Sequence, residues 1–221
     1  MTTAQLITRL RNLLNESSAG TYTDAQLYTY LDSGQNFIIS NLLSRQNAFK
    51  SSSIVFEYET LKSVLKQGTI STTTANSYSL TSLSDFIQLH SIEFYNSGDD
   101  AVLQATEIPY YKINWIKTNT YAGHSYNSGA KTGQIFYALR GTTLQTSFGV
   151  AGFPNSDFNT IRVNYYYAPT TIDSGVNPAL EEHTHEALLD YAYSLALRQD
   201  GRTQEAIAFE NTALQKINGF N

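Results

Sequence analysis

The apolar residues of this chain keep two different periods, and that constrains the fold more than any single motif. Toward both ends they recur every three to four residues, as one face of a helix requires. Between about Ser51 and Pro169 they alternate in short runs, as half-buried strands require. A chain of 221 residues patterned this way has to bury helix stripes and strand faces in the same molecule.

At the N-terminal end Thr2 and Gln5 fit a capping box, and Leu6, Leu10, Leu13 and Leu14 follow at helical spacing up to a break at Asn15–Thr21. Thr23 and Gln26 fit a second box. Leu27, Tyr30, Leu31, Gly34, Ile38 and Leu42 then form one stripe on a helix predicted to reach about Arg45. Toward the other end, Asn177 reads as an N-cap, Pro178 as the first helical residue, and Glu181 and Glu182 as acids at the positive end of the dipole. From Ala187 to Leu197 that helix is apolar nearly all round, so neighbours must cover it on several sides. Gly201 ends it, and Thr203 starts a last helix with Ala206, Phe209, Ala213 and Ile217 on one stripe.

The middle reads as strands: "IVFEYE" from Ile54, "SYSL" from Ser77, "FIQLHSIEFY" from Phe86, "IFYALRG" from Ile135, "TTLQTSF" from Thr142 and "IRVNYYYA" from Ile161. The connections "NSGDD", "GHSYNSGAKTG" and "FGVAGFPNSD" are rich in turn residues. In the last strand Ile161, Val163, Tyr165 and Tyr167 share one face and Arg162, Asn164 and Tyr166 the other. Tyr111, Trp115 and Ile116 stand at offsets near a helical turn and predict a helical interlude. The expected fold is α+β: a helical bundle of N-terminal helices (1–50) and C-terminal helices (171–221), with an inserted antiparallel β domain (51–170).

Composition excludes several functions. Fourteen Lys and Arg stand against 19 Asp and Glu, for a net charge of −5, and the cations are scattered. A protein that grips phosphates needs a clustered basic face, and none is present in the sequence. With no Cys, disulfides, thiolate catalysis and thiolate metal sites are excluded. The segment after Met1 lacks the apolar core of a signal peptide, and no run nears the ~20 apolar residues of a membrane helix, so a cytoplasm-like site of synthesis and no membrane anchor are expected. Only 15% of residues are charged while Tyr numbers 16, so surface polarity rests on neutral groups, a composition suited to interfaces.

The sequence "EEHTHE" holds two of the four histidines. On a helix His183 and His185 diverge, so they do not form a chelate. Glu182 and His185 have the workable E-x-x-H spacing, but His90 and His124 lack a glutamate three residues earlier, so no second half-site completes a di-metal centre. The reading is therefore capping carboxylates with exposed or interfacial histidines, and no metal or other cofactor. No nucleophile elbow, phosphate loop, dinucleotide fingerprint or zinc-protease word occurs, and Asp99 with Asp100 and Glu57 with Glu59 read as solvated pairs, so no catalytic residues are assigned.

Three blocks carry a likeness. They are "LITRLRNLLNESSAGTYTDAQLYTYLDSGQNFI" from Leu6, "NSYSLTSLSDFIQLHSIEFYNSG" from Asn76, and "IRVNYYYAPTTIDSGVNPALEEHTHEALLDYAYSLALRQDG" from Ile161. Together they resemble the head-to-tail adaptor (connector) proteins of short-tailed bacteriophages. In the middle block Thr81 and Ser82 stand where that family often has a proline. The resemblance implies a structural virion protein at the head–tail junction. It would form a ring, usually dodecameric, bind the portal protein, offer a site to tail proteins such as a nozzle or fibre, and surround a channel for DNA without reading its sequence.

Two sets of residues are candidates for contacts. Ile217 and Phe220, apolar and close to the chain end, are candidates for docking on the portal. Tyr165, Tyr166 and Tyr167 are candidates for contacts between subunits. A second reading, a carbohydrate- or receptor-binding tail module or another baseplate component, would use the same tyrosines or Trp115 as stacking platforms.

Overall fold

The computed structural model describes residues 1–16, 20–51, 57–71, 77–96, 101–113, 135–146, 158 and 160–220. Trp115, Ile116, His124, Asp99, Asp100, most of the three predicted connections and the start of "IVFEYE" lie outside them. The chain is α+β and divides into two compact units, one made of Met1–Val64 with Ala168–Asn221 and the other of Leu65–Tyr167.

Among the described residues the first unit contains four α-helices: α1 (Thr3–Leu13), α2 (Asp24–Ser51), α3 (His185–Gln199) and α4 (Thr203–Asn218). Both capping boxes form. Gln5 N–H donates to Thr2 Oγ1 at 3.3 Å while Gln5 Oε1 accepts Thr2 N–H at 2.8 Å, and Thr23 and Gln26 repeat the exchange. Leu6 and Leu10 are fully buried, but Leu13 is 40% exposed. The second stripe holds, with Leu27, Leu31, Ile38 and Leu42 all sealed from solvent. α2 runs past Arg45 to Ser51, and Glu59–Val64, expected to open with a strand residue, is a 3₁₀ turn whose Thr60, Leu61 and Val64 are buried.

α3 packs against α1, α2 and α4, which is what its all-round apolar surface demands. Its crossing with α2 is close: a Cβ added to Gly34 would lie 3.1 Å from the Leu188 carbonyl oxygen. One turn on, Phe37 and Tyr191 stack with ring centroids 4.0 Å apart. α3 ends in a Schellman turn, with Arg202 N–H on Leu197 O at 2.9 Å, Gly201 N–H on Arg198 O at 3.1 Å and Gly201 at φ +75°. α4 then buries Ala206, Ala213 and Ile217, while Phe209 sets its ring edge-on to Tyr193.

The segment that leads into α3 differs from expectation. Asn177 does not cap it; α3 begins at His185, after a 3₁₀ turn at Glu182–Thr184. Residues 168–181 instead lie across α1 and α2 as a strap. Asp32 Oδ1 accepts Ile172 N–H at 3.2 Å, Gln35 Oε1 accepts Ala179 N–H at 2.7 Å, and Thr3 Oγ1 donates to Val176 O at 2.7 Å. A strap has no ladder of its own, so these side chains satisfy its backbone.

The second unit is a seven-stranded sheet: β1 (Leu65–Ser71), β2 (Ser77–Ser79), β3 (Phe86–Asn96), β4 (Ala101–Glu107), β5 (Ile135–Arg140), β6 (Thr143–Thr146) and β7 (Thr160–Tyr167), in the order β1-β7-β3-β4-β5-β6-β2. The sheet is not wholly antiparallel. β4 and β5 pair in parallel, which needs a connection far longer than a hairpin turn, and residues 108–134 separate the two strands, with a helical turn at 110–113. β1 and β2 follow one another in sequence yet occupy opposite edges. Flat, those edges would stand about 29 Å apart at ~4.8 Å per strand. Residues 72–76 can bridge about 22 Å at most, so the sheet has to curl. The concave side holds one core to which both edges contribute, from Tyr78 and Leu80 through Phe94 and Ile135 to Ile161, Val163 and Tyr165.

Candidate functional site

Every residue of "EEHTHE" has a structural partner around the start of α3. Glu182 Oε1 lies 3.1 Å from the Met1 amino nitrogen, which also meets His185 Nδ1 at 3.1 Å. His185 Nε2 is 3.1 Å from Leu180 O, and the ring is 4% exposed. Where an exposed or interfacial histidine was expected, His185 is buried within the chain, because as the first residue of α3 it turns inward beneath Met1. Burial holds its imidazole below the usual histidine range, although the bond to Leu180 O pulls the other way. The Met1 amino group, as hydrogen-bond donor and as charge, holds the Glu182 carboxyl below the usual range.

His183 points elsewhere. Its Nε2 is 3.0 Å from Thr60 Oγ1, its Nδ1 is 3.4 Å from a Glu181 carboxylate oxygen, and its ring meets Phe220 edge-on at 5.3 Å. The two histidines therefore serve different joints, His185 the contact between α1 and α3 and His183 the contact between the 3₁₀ turn after α2 and the chain end.

Farther along α3 the acids continue at four-residue spacing: Glu186 pairs with Arg9 at 2.5 Å and Asp190 with Lys216 at 2.5 Å. Glu182 in the turn before α3, then Glu186 and Asp190 on the helix, thus tie this stretch in turn to Met1, α1 and α4. Beside this row lies an open hollow of about 510 Å³ lined by Met1, Ala4, Gln5, Thr8, Arg9 and Glu182. Its one cationic side chain, Arg9, is already paired, and among the described residues no group of His, Asp or Glu is placed to hold a metal ion.

The other candidates separate by burial. Ile217 is fully buried, and its carbonyl lies 3.5 Å from Arg45 Nη1; Phe220 is half-buried. Tyr165 and Tyr166 are each 2% exposed, and only Tyr167 keeps appreciable ring surface. Tyr165 donates its hydroxyl to Asp85 at 2.8 Å, and Asp85 pairs with Lys66 at 2.7 Å, the ammonium lying 5.6 Å from the Tyr167 ring centre. Tyr166 packs edge-on to His90. Buried in this way, Tyr165 and Tyr166 are not sugar-stacking platforms.

Among the described residues, ion pairs tie the helices of the first unit to one another and Lys66 to Asp85 in the second. The chain belongs to the SU10 adaptor protein family, whose model matches residues 1–220, and so is a phage head-to-tail adaptor and a virion component. A comparison with curated proteins gives no match. Among the described residues no helix is long and apolar enough to cross a membrane.

Proposed function

We propose that the protein binds the portal of a tailed-phage head, forms a ring around the DNA exit channel and offers the attachment site for the tail. Membership of the adaptor family over residues 1–220 is the observation that carries this reading. Electrostatics supports it. Arg9, Arg11, Lys62, Lys66, Arg198, Arg202 and Lys216 are each taken up in an ion pair within the chain, so they form no basic face that would hold passing DNA.

A ring needs two different complementary faces on each subunit. Tyr167 is the member of the Tyr165–Tyr167 trio with ring surface to offer a neighbour. At the chain end, half-buried Phe220 is the side chain assigned to the portal contact, with Ile217 anchoring the turn beneath it.

Negative-stain images of the protein mixed with purified portal test the proposal. A toroid stacked on the portal is the expected result, and subunits that stay monomeric and unattached at saturating portal would overturn it.

A further inference from the structure

We propose that His183 and Phe220 form an autoinhibitory latch, which stows the chain end of the free subunit until a partner with an apolar pocket displaces it. The inference rests on the reading that the chain end docks on the portal. It adds that the docking residue is withheld beforehand by the subunit's own fold.

The geometry divides the last turn into a fixed part and a stowed part. Ile217 is fully buried in the helical unit, and Arg45 reaches its carbonyl at 3.5 Å. Beyond it the helix closes on itself, with Gly219 N–H on Lys216 O at 3.0 Å and Phe220 N–H on Ile217 O at 3.2 Å. That turn folds Phe220 back instead of sending it outward. The ring lands edge-on against His183, at 5.3 Å and 88°.

His183 is exposed but tethered on both ring nitrogens. Thr60, fully buried in the 3₁₀ turn after α2, holds its Nε2 at 3.0 Å, and Glu181 stands 3.4 Å from its Nδ1. The latch therefore joins three separate stretches of sequence: the turn after α2, the entry to α3 and the chain end. Its strength suits an exchangeable contact. One edge-to-face aromatic pair shifts an equilibrium roughly two- to tenfold, enough to favour the stowed form and little enough for a partner pocket to reverse. Gly219, with no Cβ, gives the backbone freedom just where Phe220 would swing away.

The test uses the full chain with His183→Gln, which keeps a side chain able to hydrogen-bond Thr60 but removes the ring, and with Phe220→Ala. Proton NMR of the free protein reads the latch directly. Phe220 ring signals displaced from random-coil positions, and returning toward them in His183→Gln, are expected; random-coil signals in the unmodified protein would overturn the latch. Binding to purified portal reads its role. His183→Gln should tighten binding roughly two- to tenfold, Phe220→Ala should weaken it, and His183→Gln added to Phe220→Ala should change nothing more.

If Phe220→Ala weakens binding while His183→Gln leaves it unchanged or weakens it too, docking by the chain end stands and the latch falls. If Phe220→Ala has no effect on portal binding, the docking reading fails and the inhibitory role of the latch fails with it.

Discussion

The side-chain oxygen of Asn177 accepts the backbone N–H of Thr3 at 2.9 Å, so a residue 174 positions away satisfies one of the free donors in the first turn of α1. With Thr3 Oγ1 on Val176 O, it fixes the strap to the start of the helix. Asn177→Ala should lower stability by about 1 kcal/mol, as loss of a cap does elsewhere, and Asn177→Asp should lose less because a carboxylate still accepts. Urea unfolding followed by circular dichroism checks this; an Ala variant as stable as the parent would show the bond to be idle.

The crossing of α2 and α3 depends on the missing Cβ of Gly34. A methyl there meets the Leu188 carbonyl oxygen at 3.1 Å, and a carbonyl inside a helix cannot move aside alone. Gly34→Ala gains up to about 1 kcal/mol of helix propensity against that crowding and should be close to neutral. Gly34→Val adds bulk with nowhere to go and should cost about 2–3 kcal/mol, read as a lower denaturation midpoint with an unchanged m-value.

Gly201 sits at φ +75° in the turn between α3 and α4, with open space where its Cβ would be. Strain is therefore the only cost of a side chain. Gly201→Asn should be mildly destabilising and Gly201→Ala more so, by about 1 kcal/mol. Thermal midpoints falling in the order Gly, Asn, Ala would match; an Ala variant equal to the parent would not.

Acid should loosen the contact between α1 and α3 in two stages. Burial places the folded His185 below its ordinary value of 6.5, so between the folded value and 6.5 the unfolded chain binds the extra proton, and stability falls as pH drops through that window. Glu182 is held below its ordinary 4.5 by the Met1 amino group; its contribution is present above 4.5 and is lost as pH falls through the folded value. Thermal midpoints from pH 8 to 4 should decline in the parent. The step nearest neutrality should be absent from His185→Gln, and a parent curve flat between pH 7 and 5 would contradict the burial argument.

What could be read from sequence was local. Thr2 with Gln5, Thr23 with Gln26 and the stop at Gly201 each depend on residues within one turn, and each forms as its spacing implies. Asn177 shows the limit. Its type and position fit a helix start, but the donor it satisfies belongs to α1, and nothing near it in sequence says so. β1 and β4 were not predicted as strands. β1, "LKQGTIS", carries a glycine and mostly polar side chains because it lies on an edge, with Gly68 making room for Leu83. The parallel pairing of β4 with β5 joins strands 27 residues apart, beyond the reach of any local pattern. At the candidate site, the divergence of His183 and His185 followed from helix geometry, but their partners Thr60, Phe220 and Met1 come from remote segments. The strand pattern placed Tyr166 on the face opposite Tyr165 and did not reveal that both would be buried.

The edges of the curled sheet also set a timetable. β1 finds its partner only when β7 has been made, the register running from Leu65 with Tyr166 to Ser71 with Thr160, and the helical unit likewise waits for α3 and α4 to cover α2. The sheet cannot finish before β7 has left the ribosome, nor the helical unit before α3 and α4 have. A subunit cut short before β7 would thus lack both a partner for β1 and a cover for α2. Such fragments would carry two unfinished units, a consequence that lies in the order of the strands and not in any one residue.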